Sequence, residues 1–475
     1  MRTLLITLGY PPALGGIQRF LYQRCLLSPN GIAVLAPRAP GWRAFDAQQP
    51  FPIRRWPEWG GRIPGLRRLL QMLWPLLLAL RWQREQRFDR IECGQALPFG
   101  LVALFLARLW RAPYEVWAYG DDLCKPARRP PARALLRFVL RRARRVWAIS
   151  RATRAVVLSL GVEPARACVL YPWPGEILYA AYRSEQGSPP PLSPLGLTII
   201  HNPVVGVECR YRPPLFPASL RSAPPSSPVL RGRKGGGDGG GRCRASNLTF
   251  SLMGDDKPLG RGEGGEGGSP LLLAVARLEA RKGVQEAIRA LALVRREIPR
   301  ARLVVVGEGP YRRKLERLRD ALGLHDSVHF AGRIPDEELA AVYRAASLLV
   351  FTPTPRAEQG EREGFGMVCL EANACGCPVV AWASTDGGTA GVAEAVLHGE
   401  TGLVVPQGDL AGLAAAIVRL LADPAEARRL GEGGRQRAKN LVREARAVLL
   451  EGETTLPTKD DPTPVPMPLE LGEKR

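Results

Sequence analysis

Residues 363–371 read EGFGMVCLE, and the turn GCP and the apolar run PVVA follow shortly after them. The run MVCLEANAC predicts a buried helix that begins at the Gly-Phe-Gly turn, and PVVA predicts a short strand. A helix that begins at a glycine turn presents free backbone N–H groups and the positive end of its dipole. Such a helix end binds phosphate without help from a metal. The stretch therefore predicts a phosphate-binding turn within an α/β domain.

Two glutamates, Glu363 and Glu371, frame this stretch. Gly364 and Gly366 let the backbone come close to a ligand, because no Cβ is in the way. Glu363 is expected in the loop, near the group that the phosphate carries. Glu371 is expected two turns along the helix, where its carboxylate would accept hydrogen bonds from a diol such as a ribose. The alternative is an amphipathic helix with two solvated glutamates.

Strand and helix patterns alternate on both sides of this stretch. In the C-terminal half, the predicted strands are LLLAVA, RLVVVG, VHFAG and LLVF, with helices between them. In the N-terminal half, a helix from Ile17 follows the glycine-rich run GYPPALGG, and strands are predicted at Thr3–Thr7, Ile32–Leu35, Arg90–Glu92, Tyr114–Val116, Arg145–Ile149 and Ala167–Leu170. This alternation predicts parallel sheets with helices on both faces. A glycine-rich loop between strand and helix admits a ligand in such domains.

Three further segments precede or follow EGFGMVCLE in a fixed order: GYPPALGGIQRF (Gly9–Phe20), AVARLEARKG (Ala274–Gly283) and GETGLVVPQGD (Gly399–Asp409). Together the four segments resemble the signature of retaining glycosyltransferases of family 4, the group 1 transferases that include phosphatidylinositol-mannosyltransferase-like proteins. The resemblance implies a GT-B fold, in which two Rossmann-like doubly wound parallel-sheet domains face a cleft. It implies an acceptor-side domain at residues 1–183 and a donor-binding domain at residues 269–450.

The resemblance also implies the residues of the site. The catalytic set would be Glu363, Arg277, Lys282 and Tyr119. The donor-binding set would be Gly16, Gly307, Glu308, Arg333, Ile334, Phe365, Gly366, Met367 and Glu371. Arg277 and Lys282 match the basic pair that holds the donor diphosphate, where fixed cations stabilise the charge that develops as the sugar–phosphate bond breaks. A surface ion pair with Glu279 is the alternative for Arg277.

Tyr119 departs from the family pattern, because many members carry a histidine at this position. A tyrosine hydroxyl can still donate a hydrogen bond to an acceptor. Asp121 and Asp122 follow, and a helix N-cap explains them more simply than a metal pair. No metal and no cofactor are expected beyond the substrate, a UDP- or GDP-linked sugar.

The charge of the chain is unevenly distributed. The formal net charge is +22, of which residues 1–183 carry +19 and residues 270–450 carry +3. A basic half attracts an anionic membrane, nucleic acid or an anionic substrate, although a compositional bias toward arginine is the alternative. Two segments concentrate this charge. Gly65–Arg84, which Pro75 is expected to interrupt, is either a membrane-interface helix or a core helix, and Arg128–Arg145 is an amphipathic helix. No recognised nucleic-acid motif accompanies the charge.

Cysteine and histidine usage favours a cytoplasmic protein. The nine cysteines form no paired framework, and the four histidines are scattered. No leader segment is expected, and the apolar runs are shorter than the ~18 residues of a spanning helix. The expected location is the cytoplasm, with peripheral contact to the inner face of the membrane.

Residues 184–268 differ from the rest in composition, with runs such as PPPLSPLG, GRKGGGDGGG and GEGGEGGS. No periodicity survives there, so the sequence predicts a disordered insert or linker, and residues 451–475 predict a disordered tail. A translated sequencing error and a lineage-specific binding segment remain alternatives for 184–268.

The sequence as a whole predicts a metal-independent, retaining transfer of a sugar from a nucleotide sugar to an acceptor, which is a glycan or a membrane lipid. The main alternative is a GT-B protein that binds sugar nucleotides without catalysis. A nucleic-acid-binding protein is a third class that charge alone suggests.

Overall fold

The structure is a computed structural model that describes residues 2–13, 15–57, 64–175, 200–201, 207–208, 269–384 and 388–451. The predictions made for residues 184–268 and 451–475 lie outside the described residues, apart from two short strands and Glu451. The predicted domain boundaries therefore stay predictions.

The N-terminal half builds one seven-stranded parallel sheet with the strand order β3-β2-β1-β4-β5-β6-β7. Its interior is apolar, as expected when helices cover a parallel sheet. The strands are β1 (Thr3–Ile6), β2 (Ile32–Pro37), β3 (Ile53–Trp56), β4 (Arg90–Cys93), β5 (Tyr114–Ala118), β6 (Arg145–Ala148) and β7 (Ala167–Val169).

Among the described residues, seven helices connect these strands. They are α1 (Gly16–Leu27), α2 (Trp42–Asp46), α3 (Pro64–Glu85), α4 (Phe99–Trp110), α5 (Asp121–Ala127), α6 (Pro130–Leu140) and α7 (Arg151–Ser159). Helix α4 packs against both α3 and α6.

The C-terminal half builds a six-stranded parallel sheet with the order β12-β11-β10-β13-β14-β15. Its strands are β10 (Leu271–Val275), β11 (Arg302–Val306), β12 (Val328–Gly332), β13 (Leu348–Phe351), β14 (Val379–Ala383) and β15 (Gly402–Pro406). The strands β8 (Ile200–His201) and β9 (Val207–Glu208) form a separate antiparallel pair within residues 183–260. The strands β8 and β9 belong to a different compact unit from the described residues of the two large sheets, which share one unit.

The helices of the C-terminal half surround its sheet in the same way. They are α8 (Val284–Glu297), α9 (Arg312–Ala321), α10 (Asp336–Ala345), α11 (Met367–Ala374), α12 (Ala390–Ala395), α13 (Leu410–Ala422) and α14 (Pro424–Arg446). A single 3-10 turn, Ala280–Lys282, leads into α8. The α/β prediction of two doubly wound parallel-sheet domains is confirmed.

The strand order places one loop of each sheet at a switch point. β1 pairs with β2 on one side and β4 on the other, and β10 pairs likewise with β11 and β13. In open parallel sheets, ligands bind in the crevice outside the carboxyl ends of the strands at such points. The loop before Gly16 follows β1, and the loop that carries Arg277 and Lys282 follows β10.

Three local expectations need correction. β3 was not predicted, because its sequence IRRW carries two arginines; Arg55 is nevertheless buried against Asp46 and the carbonyl oxygens of two prolines. Helix α3 continues across Pro75, which was expected to interrupt it. The N-cap of α5 is Gly120, and the two aspartates form its first turn instead. Among the described helices, none is both long and apolar enough to cross a bilayer.

Candidate functional site

The N-termini of two helices meet at the candidate site. One helix follows a strand of the N-terminal sheet, and the other follows a strand of the C-terminal sheet. A Cβ placed on Gly16, the first residue of α1, would lie 3.5 Å from Cγ of Met367, the first residue of α11. Neither helix has a side-chain N-cap hydrogen bond, and neither has an acidic residue in its first turn. Two positive helix ends in contact repel each other, so together they favour an anion between or beside them.

At its two glycines, the loop before α11 has no room for a side chain. Gly366 is the N-cap of α11 and has φ 95°, a left-handed conformation that favours glycine. A Cβ on Gly364 would lie 2.2 Å from the carbonyl oxygen of Tyr119. The loop therefore packs directly against the backbone that follows β5 in the other sheet.

Lys282 and Glu363 are in direct contact. Lys282 ends the 3-10 turn after β10, and its Nζ donates a hydrogen bond of 2.5 Å to Oε2 of Glu363. The Glu363 backbone N–H donates to the carbonyl oxygen of Gly388 at 2.9 Å, which fixes the loop. Both side chains are largely buried, with 18% and 13% of their surfaces exposed. The structure thus brings together a predicted diphosphate-binding cation and the predicted sugar-side carboxylate.

Arg277 pairs with Glu279, as its alternative interpretation proposed. The two side chains approach to 3.3 Å, and 61% of the Arg277 side chain is exposed. Arg281, which the sequence analysis did not select, donates to Glu279 at 3.0 Å and lies 3.5 Å from Asp121 of α5. Asp121 also accepts a 2.6 Å hydrogen bond from the backbone N–H of Arg362. Cations and carboxylates therefore alternate across the boundary between the two sheets.

Glu371 is buried and lies between both halves of the chain. Only 1% of its side chain is exposed. One carboxylate oxygen accepts a hydrogen bond from Arg19 of α1, and the other accepts one of 3.0 Å from the hydroxyl of Tyr343. The predicted ribose-binding carboxylate thus has a cation from the N-terminal sheet as a partner, which the solvated-helix alternative did not anticipate.

The remaining predicted donor residues follow the next strands of the C-terminal sheet. The Gly307 N–H donates to the Gly332 carbonyl at 2.7 Å, and the exposed Glu308 carboxylate would lie 3.5 Å from a Cβ on Gly332. Arg333 is exposed, whereas Ile334 is 6% exposed. These residues cluster at the carboxyl ends of β11 and β12. Phe365 is buried, and its ring lies 5.5 Å from that of Tyr171.

The backbone of Tyr119, and not its hydroxyl, contacts the loop before α11. Its side chain is 5% exposed, and the hydroxyl has no hydrogen-bond partner among the described residues. Burial, with help from Asp122, raises its pKa well above the usual value. Its backbone N–H donates to Oδ1 of Asp122 at 2.9 Å. Burial also raises the pKa of Asp122 to about 6.

Glu394 of α12 is a residue that the sequence analysis missed. Its carboxylate accepts hydrogen bonds from the first two N–H groups of α7, those of Arg151 at 2.7 Å and Ala152 at 2.8 Å. The Tyr171 hydroxyl donates to it at 3.1 Å. A carboxylate stabilises a helix N-terminus, and here it caps a helix of the other sheet. A single glutamate in a short helix gives no sequence signal for such a contact. Within the described residues, no three metal-ligating side chains converge.

Two family models match the chain and together cover about two thirds of it. The model described as "Glycosyl transferase 4-like domain" matches residues 31–173, and "Glycosyl transferases group 1" matches residues 258–437.

Two bacterial relatives are similar in sequence. The GDP-mannose-dependent alpha-(1-6)-phosphatidylinositol monomannoside mannosyltransferase of Mycolicibacterium smegmatis is 41% identical over 171 residues, which are 36% of this chain and 44% of that protein. The alignment thus spans less than half of that relative. A GDP-mannose-dependent monoacylated alpha-(1-6)-phosphatidylinositol monomannoside mannosyltransferase of Corynebacterium glutamicum is 25% identical, over 91% of this chain and 92% of its own length.

A solved structure shares the fold. HepE of Anabaena in complex with UDP superposes with a TM-score of 0.65 at 18% identity, covering 96% of this chain and 100% of that one. This likeness is one of fold. The two matching family models, together with the two parallel sheets and the glycine loops at their switch points, identify the chain as a member of the group 1 glycosyltransferases of family 4 type, with the GT-B fold.

Proposed function

We propose that this protein is a retaining glycosyltransferase that moves a sugar from a nucleotide sugar to an acceptor. The observation that carries the proposal is the meeting of two uncapped helix N-termini, at Gly16 and Met367, in the same site as the Lys282–Glu363 pair. A diphosphate fits the positive helix ends and the lysine. A sugar on that diphosphate would then lie toward Glu363.

The proposed chemistry follows from the charges of the site. When the sugar–phosphate bond breaks, negative charge develops on the departing diphosphate, and positive charge develops on the sugar. Preorganised N–H groups, Lys282 and Arg277 stabilise the first charge, and the Glu363 carboxylate stabilises the second. Because the protein itself supplies these groups, the proposal includes transfer without a metal ion.

The donor class we propose is a GDP-linked hexose, and the acceptor class is a mannosylated phosphoinositide lipid. The support is the names of the mycobacterial and corynebacterial relatives, which specify GDP-mannose and phosphatidylinositol monomannoside. A UDP-linked sugar is the competing donor, since HepE was solved with UDP.

An exposed apolar surface on the N-terminal half supports a lipid acceptor. Helices α3, α4 and α6 lie side by side and expose large apolar residues, namely Leu73, Trp74, Leu77, Phe105, Leu109, Leu135 and Phe138. Exposed arginines border them: Arg81, Arg108, Arg111, Arg137, Arg141 and Arg142. Apolar side chains amid arginine suit the interface of an anionic membrane. We include peripheral binding to the inner face of the cell membrane in the proposal, with the protein itself in the cytoplasm.

The test is transfer by the full chain. The protein would be incubated with GDP-mannose or UDP-glucose and with a phosphatidylinositol monomannoside in anionic vesicles. Product would be followed by mass, and the anomeric configuration by proton NMR. Retention of the donor configuration with one donor supports the proposal. An inverted product contradicts the retaining assignment, and absence of turnover with all nucleotide sugars contradicts the transferase assignment.

A second candidate is a sugar-nucleotide-binding protein without catalysis. One observation favours it: the hydroxyl of Tyr119, at the position of the family's histidine, is buried rather than directed at an acceptor. Calorimetric titration separates the candidates, because a non-catalytic binder would bind a nucleoside diphosphate and yet transfer and hydrolyse no sugar.

A further inference from the structure

The loop that carries Glu363 packs directly on the short helix α12. The Glu363 backbone N–H donates to the carbonyl oxygen of Gly388, just before this helix, at 2.9 Å. A Cβ placed on Gly391, in the first turn of α12, would lie 2.1 Å from the carbonyl oxygen of Gly364. Because backbone lies against backbone here, a displacement of α12 would displace the loop as well.

Glu394, one turn further along α12, joins this helix to the N-terminal half of the chain. Its carboxylate accepts hydrogen bonds from the backbone N–H groups of Arg151 at 2.7 Å and Ala152 at 2.8 Å, the first two residues of α7. The hydroxyl of Tyr171, which follows β7, donates to the same carboxylate at 3.1 Å. A carboxylate at a helix N-terminus forms charge-assisted hydrogen bonds and complements the helix dipole. Three donors of one half thus converge on one side chain of the other half.

The ring of Tyr171 contacts the loop a second time. It lies 5.5 Å from the ring of Phe365, between centroids, with an angle of 38° between the ring planes. The Phe365 side chain is 1% exposed. Phe365 lies two residues after Glu363 in the same loop. Glu394 therefore holds the hydroxyl of a tyrosine whose ring packs against the loop that α12 also supports.

We propose that Glu394 is a positioning residue that holds the loop carrying Glu363 in a fixed place relative to the N-terminal half. This inference rests on the proposed function, in which the N-terminal half binds the acceptor and Glu363 faces the donor sugar. Glu394 acts through α12 and Tyr171, not on the substrates. Transfer depends on the geometry between acceptor and sugar, and a misplacement of about 1 Å can slow a reaction 10²-fold. Loss of the Glu394 contacts therefore slows transfer and leaves nucleotide binding intact.

The first test is Glu394→Gln in the full chain. An NH₂ group replaces one carboxylate oxygen in this variant, so the N–H of either Arg151 or Ala152 loses its acceptor. We expect kcat for transfer to the lipid acceptor in anionic vesicles to fall about tenfold, the scale of a charge-assisted hydrogen bond. Calorimetric titration with GDP or UDP, whichever binds the unmodified protein more tightly, should show an affinity within about twofold and an unchanged number of sites. A merely structural defect would lower the number of sites together with kcat.

The second test separates the tyrosine hydroxyl from its ring. Tyr171→Phe keeps the ring beside Phe365 and removes only the bond to Glu394, so we expect kcat to fall about threefold. Because the two residues share one contact, the double variant with Glu394→Gln should lose less activity than the product of the two single losses.

The matched control is Asp423→Asn. The Asp423 carboxylate also accepts hydrogen bonds from two helix N–H groups, those of Ala425 and Glu426, but all three residues belong to the C-terminal half. The control should keep the kcat and the nucleotide affinity of the unmodified protein. Thermal unfolding confirms that each variant is folded, and Tyr171→Phe carries the test alone if Glu394→Gln does not fold.

Three outcomes would overturn the inference while leaving the proposed function intact. Unchanged kcat in Glu394→Gln and Tyr171→Phe would show that the contacts do not position the loop. A loss of nucleotide affinity, or of binding sites, as large as the loss in kcat would show a general defect of the site. Losses that multiply in the double variant would show that the two residues act independently. If the unmodified protein transfers no sugar from any nucleotide sugar, the proposed function fails, and the inference fails with it.

Discussion

At the scale of single residues, Glu363 and Glu371 have different surroundings, so substituting each with Gln should change the kinetics in a different way. Glu363 contacts Lys282 in a loop, whereas Glu371 is buried in a helix between Arg19 and Tyr343. In the proposed site, changing Glu363 to Gln would remove the charge that faces the positive charge developing on the sugar. We expect kcat to fall on the order of 10²-fold, with nucleotide binding retained.

For Glu371→Gln we expect the donor KM to rise more than kcat falls, because a ribose contact is about equally strong in the ground state and the transition state. Steady-state kinetics and calorimetric titration of both variants provide the comparison. Near-normal turnover in Glu363→Gln, together with unchanged nucleotide affinity in Glu371→Gln, would remove both residues from the site.

Asp122 gives a prediction about pH. Burial raises its pKa from 3.8 to about 6 in the folded protein, so between these values the folded state holds a proton that the unfolded chain releases. The free energy of unfolding therefore falls as the pH rises through this window. This rise in the pKa corresponds to about 3 kcal/mol.

Asp122→Asn removes this dependence. We expect the variant to gain stability relative to the unmodified protein by about 2–3 kcal/mol between pH 4 and pH 8, measured by denaturant unfolding at both pH values. Asp326→Asn serves as the control, because the side chain of Asp326 is fully exposed. An equal pH response of the unmodified protein and Asp122→Asn would contradict the assignment.

Residue-scale prediction from sequence succeeded where a motif fixes chemistry locally. The Gly-Phe-Gly turn and the helix after it lie where the motif predicts, because glycine at a helix start is a local requirement. Arg19, Asp121 and Glu394 were not selected as site residues. Each acts through a partner more than 200 positions away, and no periodicity or spacing carries that information.

At the scale of elements, α3, α4 and α6 form the surface that we propose for membrane binding. Helix α3 buries Pro75, Ala79 and Trp82 on one side and exposes Leu73, Trp74 and Leu77 on the other. The core-helix interpretation explains the first set. The second set is the one on which the interface interpretation of Gly65–Arg84, which stays a proposal, depends.

Replacing two exposed leucines of this surface should weaken membrane binding. Burial of a leucine side chain is worth about 1.5–3 kcal/mol, so the double variant Leu77→Ser and Leu109→Ser should bind anionic vesicles at least tenfold more weakly in a sedimentation assay. Leu322→Ser, which changes an exposed leucine of the C-terminal half, is the matched control.

Salt provides an independent check on this surface, because the Debye length shrinks to about 3 Å at 1 M. Vesicle binding should fall as salt rises. Equal binding to neutral and anionic vesicles at low salt would contradict an electrostatic contribution.

At the scale of the whole molecule, both sheets were predictable and their mutual contacts were not. Apolar runs and glycine loops repeat in both halves, so the parallel architecture follows from pattern. The strand β3 was not predicted because its buried residue Arg55 is an arginine paired with Asp46 and not an apolar side chain. Contacts between the halves depend on how two finished domains meet, which local sequence does not encode.

The segment between the two sheets can be tested by deletion. Every contact described here at the candidate site is made by residues outside 184–268. Joining Ser184 to Ser269 through a short Gly-Ser linker should therefore leave nucleotide affinity within about twofold, measured by calorimetry, since a change of connection length costs little. A nucleotide affinity lowered tenfold or more would show that 184–268 contributes to the site.

The ion pairs of Lys282 with Glu363 and of Arg277 with Glu279 have a consequence for the proposed turnover cycle. If these cations bind the donor diphosphate, the diphosphate would exchange one anion for another rather than neutralise bare charge, so donor binding would be moderate in strength. The displaced carboxylates would stay tethered beside their cations. After transfer they would compete with the spent nucleotide for the same positions, and this competition would speed product release.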